Sequence, residues 1–203
     1  IAIVGSVIAD YKTQKIVFTN SKVDNKLKAA IRTDFRDSHG DWWETERICG
    51  AAFLLNLNTV KEYSLFLDDD LFLYCEEMEL CLRARRLGLK IAAAAQSRVY
   101  HKESVAVGGS LSYLGVYYNL RNRILLARKL LGTKQRILFW MLFVPARLLR
   151  CLRWMTNGRW RLITTSFVAF RDGIQGKVGQ RKDLHSAPAS QRKPGASINH
   201  TNK

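Results

Sequence analysis

Three glutamates open a predicted helix in the middle of the chain, and they are the first candidates for chemistry. Glu76, Glu77 and Glu79 stand at the start of YCEEMELCLRARRLG, in which leucine and alanine recur at helical spacing and a glycine marks the end. The helix dipole favours acidic residues in a first turn, so a structural role is the common one. We assign that role to Glu79, which can pair with Arg83 one turn later. Glu76 and Glu77 follow an aromatic and apolar run, and a carboxylate at the rim of an apolar pocket can have a pKa suited to a general base.

Two other polar groups flank this helix in the sequence. His101 follows a predicted strand at 98–100. A lone histidine is more often a satisfied structural residue, although imidazole is also the commonest nitrogen ligand of divalent metals. The three aspartates at 68–70 have the oxygens that Mg²⁺ or Mn²⁺ on a nucleotide diphosphate needs. Their place just before the acidic helix favours a turn instead, in which Asp side chains accept hydrogen bonds from local N–H groups.

The segment from residue 50 to residue 109 resembles the second half of family 2 inverting glycosyltransferases, and in particular the bacterial rhamnosyltransferase-like branch that builds cell-surface polysaccharide. The resemblance lies in a Gly-Ala segment, a Phe-Asp turn, an aromatic residue before Glu-Glu, the Glu-Leu-Cys-x-Arg run and a strand ending in His. It puts Glu77 on the family's catalytic base, Glu76 on the acid before it and His101 on a metal-ligand histidine. Because Glu stands at 77 where Asp is more usual, either glutamate can be the base.

The resemblance covers about residues 1–180 and implies part of a GT-A fold, which is Rossmann-like and α/β, followed by C-terminal amphipathic helices. YYNLRNR resembles the family's post-catalytic helix, and FRDGIQGKVGQ its C-terminal glycine-rich element. The implied activity moves a sugar, with inversion, from a nucleotide-diphosphate donor to a lipid-linked or saccharide acceptor, with Mg²⁺ or Mn²⁺ as cofactor. The chain opens on a strand-like IAIVGSVI with no signal peptide and no phosphate-binding glycine loop. We therefore expect a donor-binding half to be missing from this sequence, and the chain alone to be inactive.

The pattern of elements also predicts an α/β fold. A short strand is predicted at 16–19, a buried strand in the continuous apolar run at 50–57, and two short strands at 90–95 and 98–101. The segment at 34–49 is polar and aromatic and contains a glycine, which predicts a surface loop.

Candidate acceptor-binding residues lie in that loop and just after it. Trp42 and Trp43 can either fold back on the core or form a platform for the face of a sugar. Asp41 beside them could hold acceptor hydroxyls. Gly50 and Ala51 are small enough to let a ligand approach the backbone closely.

Residues 102–112, KESVAVGGSLS, follow His101 and are rich in glycine and serine. In the family a loop at this place orders over the bound donor. Gly108 and Gly109 would supply the freedom that such a lid needs. A plain linker is the other interpretation.

The composition predicts a globular core with a basic appendix: 203 residues, 47% hydrophobic, with a formal net charge of +16. The four cysteines form no Cys-x-x-Cys pair, which argues against zinc and suits reduced thiols. Between Glu103 and Asp172 there is no acidic residue but there are twelve lysines and arginines. Such a stretch predicts an anionic partner, either nucleic acid or a membrane surface.

The pattern favours the membrane surface over nucleic acid. Two predicted helices, 113–131 and 136–155, carry large apolar residues between the cations, and the unbroken apolar run is shorter than the ~20 residues of a spanning helix. We expect the aromatic residues to lie at the interface and the arginines on anionic lipid; the predicted contacts are Trp140, Phe143, Arg147, Arg150 and Trp154. We therefore expect a peripheral protein on the cytoplasmic face of the bacterial inner membrane. For 113–131, a core-packed helix with a solvated basic face is the alternative.

The predicted organisation has three parts. Residues 1–112 form the acceptor and catalytic half, residues 113–180 a basic, amphipathic, membrane-proximal region, and residues 181–203 a disordered tail that is too polar to form a core. The leading hypothesis is the glycosyltransferase, with a nucleotide sugar, a lipid-linked saccharide and an anionic membrane as partners. The alternative is a fragment without catalysis that binds a membrane surface or, less favoured, nucleic acid.

Overall fold

The computed structural model describes residues 1–23, 29–32, 41–102 and 112–185. Strands fill the first half of this part of the chain and helices the second. The strands are β1 (Ile3–Asp10), β2 (Ile16–Phe18), β3 (Asn20–Val23), β4 (Ala29–Arg32), β5 (Trp42–Glu44), β6 (Phe53–Leu55) and β7 (Ile91–His101). The helices are α1 (Leu57–Tyr63), α2 (Glu76–Arg86), α3 (Tyr113–Leu130), α4 (Thr133–Thr156), α5 (Trp160–Gln175) and α6 (Lys182–His185).

The main sheet is mixed and has five strands. Its order is β2-β1-β7-β5, and β6 also pairs with β1. Only the central β1–β7 pair is parallel among these strands. The connection between them includes α2, as a parallel pair requires a crossover. β3 and β4 form a separate two-stranded sheet. The mixed α/β class predicted from the sequence is confirmed.

The strand β7 is continuous, whereas the sequence predicted two short strands. On β1, Ser6 pairs with Ala94, and the next residue, Val7, pairs with Arg98. Residues 95–97 therefore form a bulge, which lets one strand continue past a polar interruption. Gln96 and Ser97, the polar residues between the two predicted strands, lie within this bulge.

Two predictions about the flanks of the sheet are wrong. Residues 42–44 form β5, paired with β7, and not a surface loop. The apolar run at 50–57 is not a buried strand, because only three of its residues pair and Leu54 is 75% exposed. Asn56 ends that run by capping α1, where its side chain accepts from the backbone N–H groups of Asn58 and Thr59 at 3.1 and 3.4 Å.

Two apolar clusters hold the molecule together. In the first, α2 packs on the sheet through Leu80, Cys81 and Ala84, against Ile3 and Ile91. The second is built around α3, nearly all of which is buried, and it includes residues of α4 and α5. Of the two interpretations of 113–131, the structure therefore shows the core-packed helix.

The second cluster also contains Leu71, Cys75 and Met78, which belong to the turn before α2 and to α2 itself. The start of α2 is thus packed into the same core as the C-terminal helices. This core joins the region predicted as catalytic to the region predicted as membrane-proximal.

The last two long helices differ in their packing. α5 lies along α3, whereas α4 keeps much of its surface exposed and continues through Pro145 without a break. No helix in the described part of the chain is long and apolar enough to cross a membrane. Residues 181–185, at the start of the predicted disordered tail, are ordered and include α6.

Candidate active site

The turn that leads into α2 has an unusual backbone. Phe72, Tyr74 and Cys75 have φ values of 59°, 64° and 71°, in the left-handed region that non-glycine residues rarely adopt. Each such residue costs on the order of 1 kcal/mol or more, so surrounding contacts must hold it in place. Strained backbone directly before the candidate catalytic pair is typical of a functional site.

Side chains from α3 hold this turn. The amide nitrogen of Asn122 donates to the carbonyl oxygens of Leu71, Leu73 and Tyr74 at 2.8, 2.8 and 2.7 Å. Its neighbour Arg121, 1% exposed, donates to the carbonyl of Leu71 at 3.0 Å. Buried carbonyls of an irregular turn must find donors, and α3 provides them.

A second set of contacts ties the turn to the C-terminal element. The N–H of Gly179 donates to the carbonyl of Asp70 at 2.6 Å, and Arg121 donates to the carbonyl of Gly179 at 2.7 Å. Gly179 has a φ of 70°, so the chain can make this close approach without strain. The glycine-rich C-terminal segment therefore braces the turn from the opposite side.

Asp172 is a buried anchor for the same segment. Its carboxylate accepts from the hydroxyl of Tyr117 at 2.9 Å, from Lys177 at 3.0 Å and from Arg181 at 2.7 Å. Burial acts to raise the pKa of Asp172, but the bonds from Lys177 and Tyr117 and the charge of Arg181 outweigh it, and the net effect is a lowered pKa. The carboxylate is therefore ionised and fixes the chain that follows α5.

The aspartates at 68–70 form a turn, as the sequence predicted. The N–H of Leu71 donates to the carbonyl of Asp68 at 3.0 Å, and the side chain of Asp68 accepts from the N–H of Asp70 at 3.2 Å. Asp68 also forms an ion pair with Lys129 of α3. The carboxylate of Asp68 therefore has a structural role in this turn.

Glu79 has the structural role that its spacing predicted. It is 1% exposed and accepts hydrogen bonds from the guanidinium of Arg83, at 2.9 Å from Nη2. Arg83 extends this contact by donating to the backbone carbonyl of Ser64 at 2.9 Å. The pair thus fastens α2 to the loop that follows α1.

Glu77 forms an ion pair that the sequence did not reveal. Its Oε1 lies 2.7 Å from Nη2 of Arg47, and both side chains are 12% exposed. Gly50 lies against the same glutamate, because a Cβ at this glycine would be 3.5 Å from Cβ and Cγ of Glu77. The Gly-Ala segment therefore borders the carboxylate pair, as the acceptor-binding prediction requires, and Gly50 and Ala51 are both exposed there.

Glu76 has a different environment from its neighbour. Its Oε2 is buried and accepts no hydrogen bond within the described residues. The pKa of Glu76 is raised to about 6, mainly by burial and also by the charge of Glu77, against the opposing effects of its own backbone N–H and of Arg47. A carboxylate with this pKa is largely ionised near neutral pH and remains basic enough to take a proton.

The tryptophan pair lies farther along α2 from these carboxylates. Trp42 is 51% exposed, whereas Trp43 is half-buried and lines a cleft of about 640 Å³. Arg85, near the end of α2, lines the same cleft, eight residues after Glu77 and so about 12 Å along the helix. Asp41 accepts a hydrogen bond from Gln96 at 2.7 Å and fastens β5 to the bulge of β7.

Neither this cleft nor a smaller one beside α3 and α5, of about 210 Å³, is lined by Glu76, Glu77 or His101. The structure thus brings Gly50 and the two glutamates together but places Trp43 beside the far end of α2.

His101 ends β7, beside Asp10 at the end of β1. The carboxylate of Asp10 is engaged with the backbone N–H and hydroxyl of Thr13 at 2.6 and 2.7 Å, and these bonds lower its pKa. Among the described residues no group of three or more His, Cys, Asp or Glu side chains could hold a metal. His101 can supply one nitrogen ligand, and the described residues do not by themselves form a divalent-metal site. The proposed lid residues Gly108 and Gly109 lie outside the described part of the chain.

The five predicted membrane contacts differ in how far they are buried. Phe143 and Trp154 are buried, and Trp140 and Arg147 are partly buried. Only Arg150 of the five is exposed. The inward-facing aromatics pack among themselves and on α5: Phe139 stacks on Phe143 at 4.6 Å, and Trp140 meets Phe170 edge-on at 5.8 Å.

The outer face of α4 is instead aliphatic. Met141 and Leu149 are each 67% exposed. Their neighbours on the helix surface are also exposed: Ile137, Leu138, Leu142, Leu148, Leu152 and Met155. We refer to these eight residues as the α4 outer face.

In comparisons with known proteins, the chain matches no protein-family model and no curated protein.

Proposed function

We propose that this chain is the acceptor and catalytic half of an inverting glycosyltransferase. It would transfer a sugar from a nucleotide-diphosphate donor to a lipid-linked saccharide at a membrane surface. The reaction class comes from the resemblance of residues 50–109 to family 2 enzymes. The observation that best supports it is Glu76, a half-buried carboxylate with a pKa of about 6 and an unbonded oxygen, at the end of a strained turn.

The surroundings favour Glu76 over Glu77 as the base. Arg47 engages Glu77, and such a pair stabilises the ionised carboxylate and weakens it as a proton acceptor. Glu77 and Arg47 together then form a fixed polar wall beside Gly50. In this assignment Glu77, which the resemblance puts on the family's base, has a positioning role.

The proposed step is a single displacement. Glu76 takes the proton of the acceptor hydroxyl as the hydroxyl oxygen forms a bond to the anomeric carbon. The bond from that carbon to the nucleotide diphosphate breaks, and the diphosphate leaves with the bonding pair. Attack from the opposite face inverts the anomeric centre. Mg²⁺ or Mn²⁺ is implied by the resemblance only, so no step is written through it.

The α4 outer face supports the membrane as the place of reaction. An exposed aliphatic stripe on a helix flanked by exposed cations such as Arg150, Arg153 and Arg159 matches an interfacial helix that lies on anionic lipid. We place the protein peripherally, on the cytoplasmic face of the bacterial inner membrane. This is where a lipid-linked saccharide presents its hydroxyls.

A donor screen tests this function directly. The complete protein that carries this chain is incubated with a panel of labelled nucleotide sugars, an undecaprenyl-diphosphate-linked saccharide and either Mg²⁺ or Mn²⁺. We expect one donor to label the lipid fraction, and the new linkage to have the anomeric configuration opposite to that of the donor. Retention of configuration would rule the proposal out, and so would the failure of every donor to label the lipid fraction.

The second candidate is a membrane-surface module without catalysis. The α4 outer face favours it as strongly as it favours the enzyme, because lipid binding needs no chemistry. Binding to anionic vesicles together with no transfer in the donor screen would select this candidate. Binding to an oligonucleotide in preference to vesicles would select the nucleic-acid alternative.

A further inference from the structure

Two arginines on α3 and α4 have no anionic partner among the described residues. Arg123 lies on α3, directly after Asn122, and Arg147 lies on the face of α4 that carries Phe143. Both are partly buried. The Nε–H of each is buried and makes no hydrogen bond. Within the described part of the chain, neither guanidinium forms an ion pair with a carboxylate.

The two arginines lie close enough to affect each other. The pKa of Arg147 is lowered to about 10, mainly by burial and also by the charges of Arg123 and Arg150. Arg147 also lies over the ring of Phe143, 5.1 Å from its centre, which partly offsets the lost hydration. Like charges that are half removed from water and unpaired are costly to maintain.

Both arginines lie next to the core that contains the turn before α2. Arg123 directly follows Asn122, whose side chain donates to the carbonyls of this turn. Arg147 lies over the ring of Phe143, which packs in the same cluster as Cys75, the N-cap of α2. An anion held by these arginines would therefore lie in the same part of the molecule as the start of α2.

The type of side chain indicates the type of anion. A guanidinium offers N–H groups in a planar fork that matches phosphate oxygens two at a time. Two such forks from neighbouring helices, with no carboxylate between them, suit a ligand with two phosphoryl groups. An arginine on the surface keeps its Nε–H group in contact with water. In Arg123 and Arg147 this group is buried.

We propose that Arg123 and Arg147 together bind the diphosphate group of a substrate. The proposal rests on the proposed function only for the molecule that carries this group. That molecule is either the lipid-linked acceptor, whose lipid would follow the α4 outer face, or the nucleotide donor. Both present the same chemistry to the arginines.

Titration with inorganic pyrophosphate tests the site without any transfer reaction. The complete protein is compared with its Arg123→Met and Arg147→Met variants by calorimetry and by thermal unfolding. Methionine keeps most of the side-chain volume and removes the charge. Arg98→Met, an exposed arginine on β7 outside the proposed binding surfaces, is the control. We expect at least about tenfold weaker binding in each of the first two variants and no change in the control.

The unfolding temperature without ligand shows whether a variant is folded. Removing an unpaired, half-buried charge relieves repulsion, so Arg147→Met should unfold at the same temperature as the parent protein or above it. Loss of pyrophosphate binding in such a protein cannot be attributed to unfolding. Equal affinity in all four proteins, or no binding by the parent, would overturn the proposal.

Two further arms identify the source of the diphosphate. In one, phosphatidylcholine vesicles containing polyprenyl diphosphate are compared with vesicles of equal charge containing phosphatidylglycerol. In the other, a nucleoside diphosphate competes with pyrophosphate in solution. Recruitment by polyprenyl diphosphate that Arg147→Met abolishes supports the acceptor, and competition by the nucleotide supports the donor. If the variants lose pyrophosphate binding while no donor supports transfer, the site stands and the proposed function falls.

Discussion

Two adjacent glutamates at the start of one helix have different surroundings, and the difference assigns their roles. Glu77 is held by an arginine that lies thirty positions earlier in the chain. Glu76 is deprived of solvent without gaining a partner, which raises its pKa to about 6. In the proposed mechanism the same residue type therefore serves once as a positioning group and once as a proton acceptor, depending on what lies within hydrogen-bonding distance.

Glu76→Gln should stabilise the folded protein at neutral pH. The pKa of Glu76 is raised on folding, from 4.5 to about 6. Folding therefore disfavours its ionised form, and the parent protein loses stability as the pH rises from about 4.5 through 6. Because the group is partly exposed, we expect a gain of only about 1 kcal/mol at pH 7.5. Urea unfolding at pH 4 and pH 7.5 measures this.

The control for this prediction is Glu77→Gln. It leaves the half-buried Arg47 without its carboxylate, so it should not stabilise the protein at either pH. The free energy of unfolding of Glu76→Gln is compared with that of the parent protein at each pH. If this difference is the same at pH 4 and at pH 7.5, Glu76 has an ordinary pKa.

At the residue scale, sequence reasoning succeeds where partners are close in the chain. The Glu79–Arg83 pair follows from a spacing of four on a helix, and the structure confirms it. The partner of Glu77 could not be found in this way, because it is brought near by the pairing of distant strands and loops. The same holds for the unpaired state of Glu76, which depends on burial.

At the scale of elements, α3 sets the geometry of the site although it contributes neither glutamate. Its side chains satisfy the carbonyls of the turn in which Phe72, Tyr74 and Cys75 adopt left-handed conformations. This turn directly precedes α2 and so fixes where the helix begins. α3 is therefore a brace for the candidate base.

Asn122→Leu should loosen this turn. The substitution keeps the volume but removes the side-chain donor of the Leu73 and Tyr74 carbonyls, while the carbonyl of Leu71 keeps its bond from Arg121, so we expect a loss of about 1–3 kcal/mol in the free energy of unfolding. Hydrogen exchange in the peptide covering residues 70–77 should become faster than in the parent protein.

Asn119→Leu is the matched control, because that amide bonds only to the carbonyl of Gly115 in its own helix. It should cost less than about 1 kcal/mol and leave exchange at 70–77 unchanged. If both asparagine variants behave alike, α3 does not brace the turn.

Helices were predictable at this scale and irregular backbone was not. α2, α3 and α4 follow from apolar periodicity, and the structure places them within a few residues of the prediction. The short strand β5 was missed and β6 was predicted as a longer, buried strand, because a three-residue strand leaves no periodic pattern. The left-handed turn has no glycine at its three strained positions, so its sequence carries no signal for it.

At the scale of the molecule, the apolar helix and the candidate base share one core. Leu71 and Cys75 pack in the same cluster as Phe139 and Phe143 of α4. A surface that lies on lipid through the outside of α4 would therefore hold the start of α2 at a fixed height above the membrane. This arrangement suits an acceptor whose reactive hydroxyl is tethered to lipid.

The sequence predicted five membrane-contact residues on α4, and two of them do not reach the surface of the helix bundle. Aromatic residues were expected at the interface, yet Phe143 and Trp154 are buried. Large rings bury the most apolar area against neighbouring helices, so they take the inner positions and leave the aliphatic residues outside. The composition of α4 could not show which of its apolar residues are exposed, because that depends on how α4 packs on the neighbouring helices.

Leu149→Asp should weaken binding to anionic vesicles. Leu149 lies in the middle of the α4 outer face and is 67% exposed, so the change removes apolar contact and adds repulsion without disturbing the core. We expect at least about tenfold weaker co-sedimentation with vesicles containing phosphatidylglycerol. Leu54→Asp is the control, since Leu54 is an equally exposed leucine on β6. Equal loss of binding in both variants would mean that the outer face is not the contact.

The rate of sugar transfer by Glu76→Gln and Glu77→Gln in the complete protein, measured from pH 5 to pH 8, tests the central claim most directly. We predict that Glu76→Gln lowers transfer by about 100-fold or more while donor binding is unchanged, and that the parent rate rises through about pH 6 and then levels off. Glu77→Gln should retain more activity than Glu76→Gln. Transfer at the parent rate by Glu76→Gln would contradict the assignment of this residue as the base.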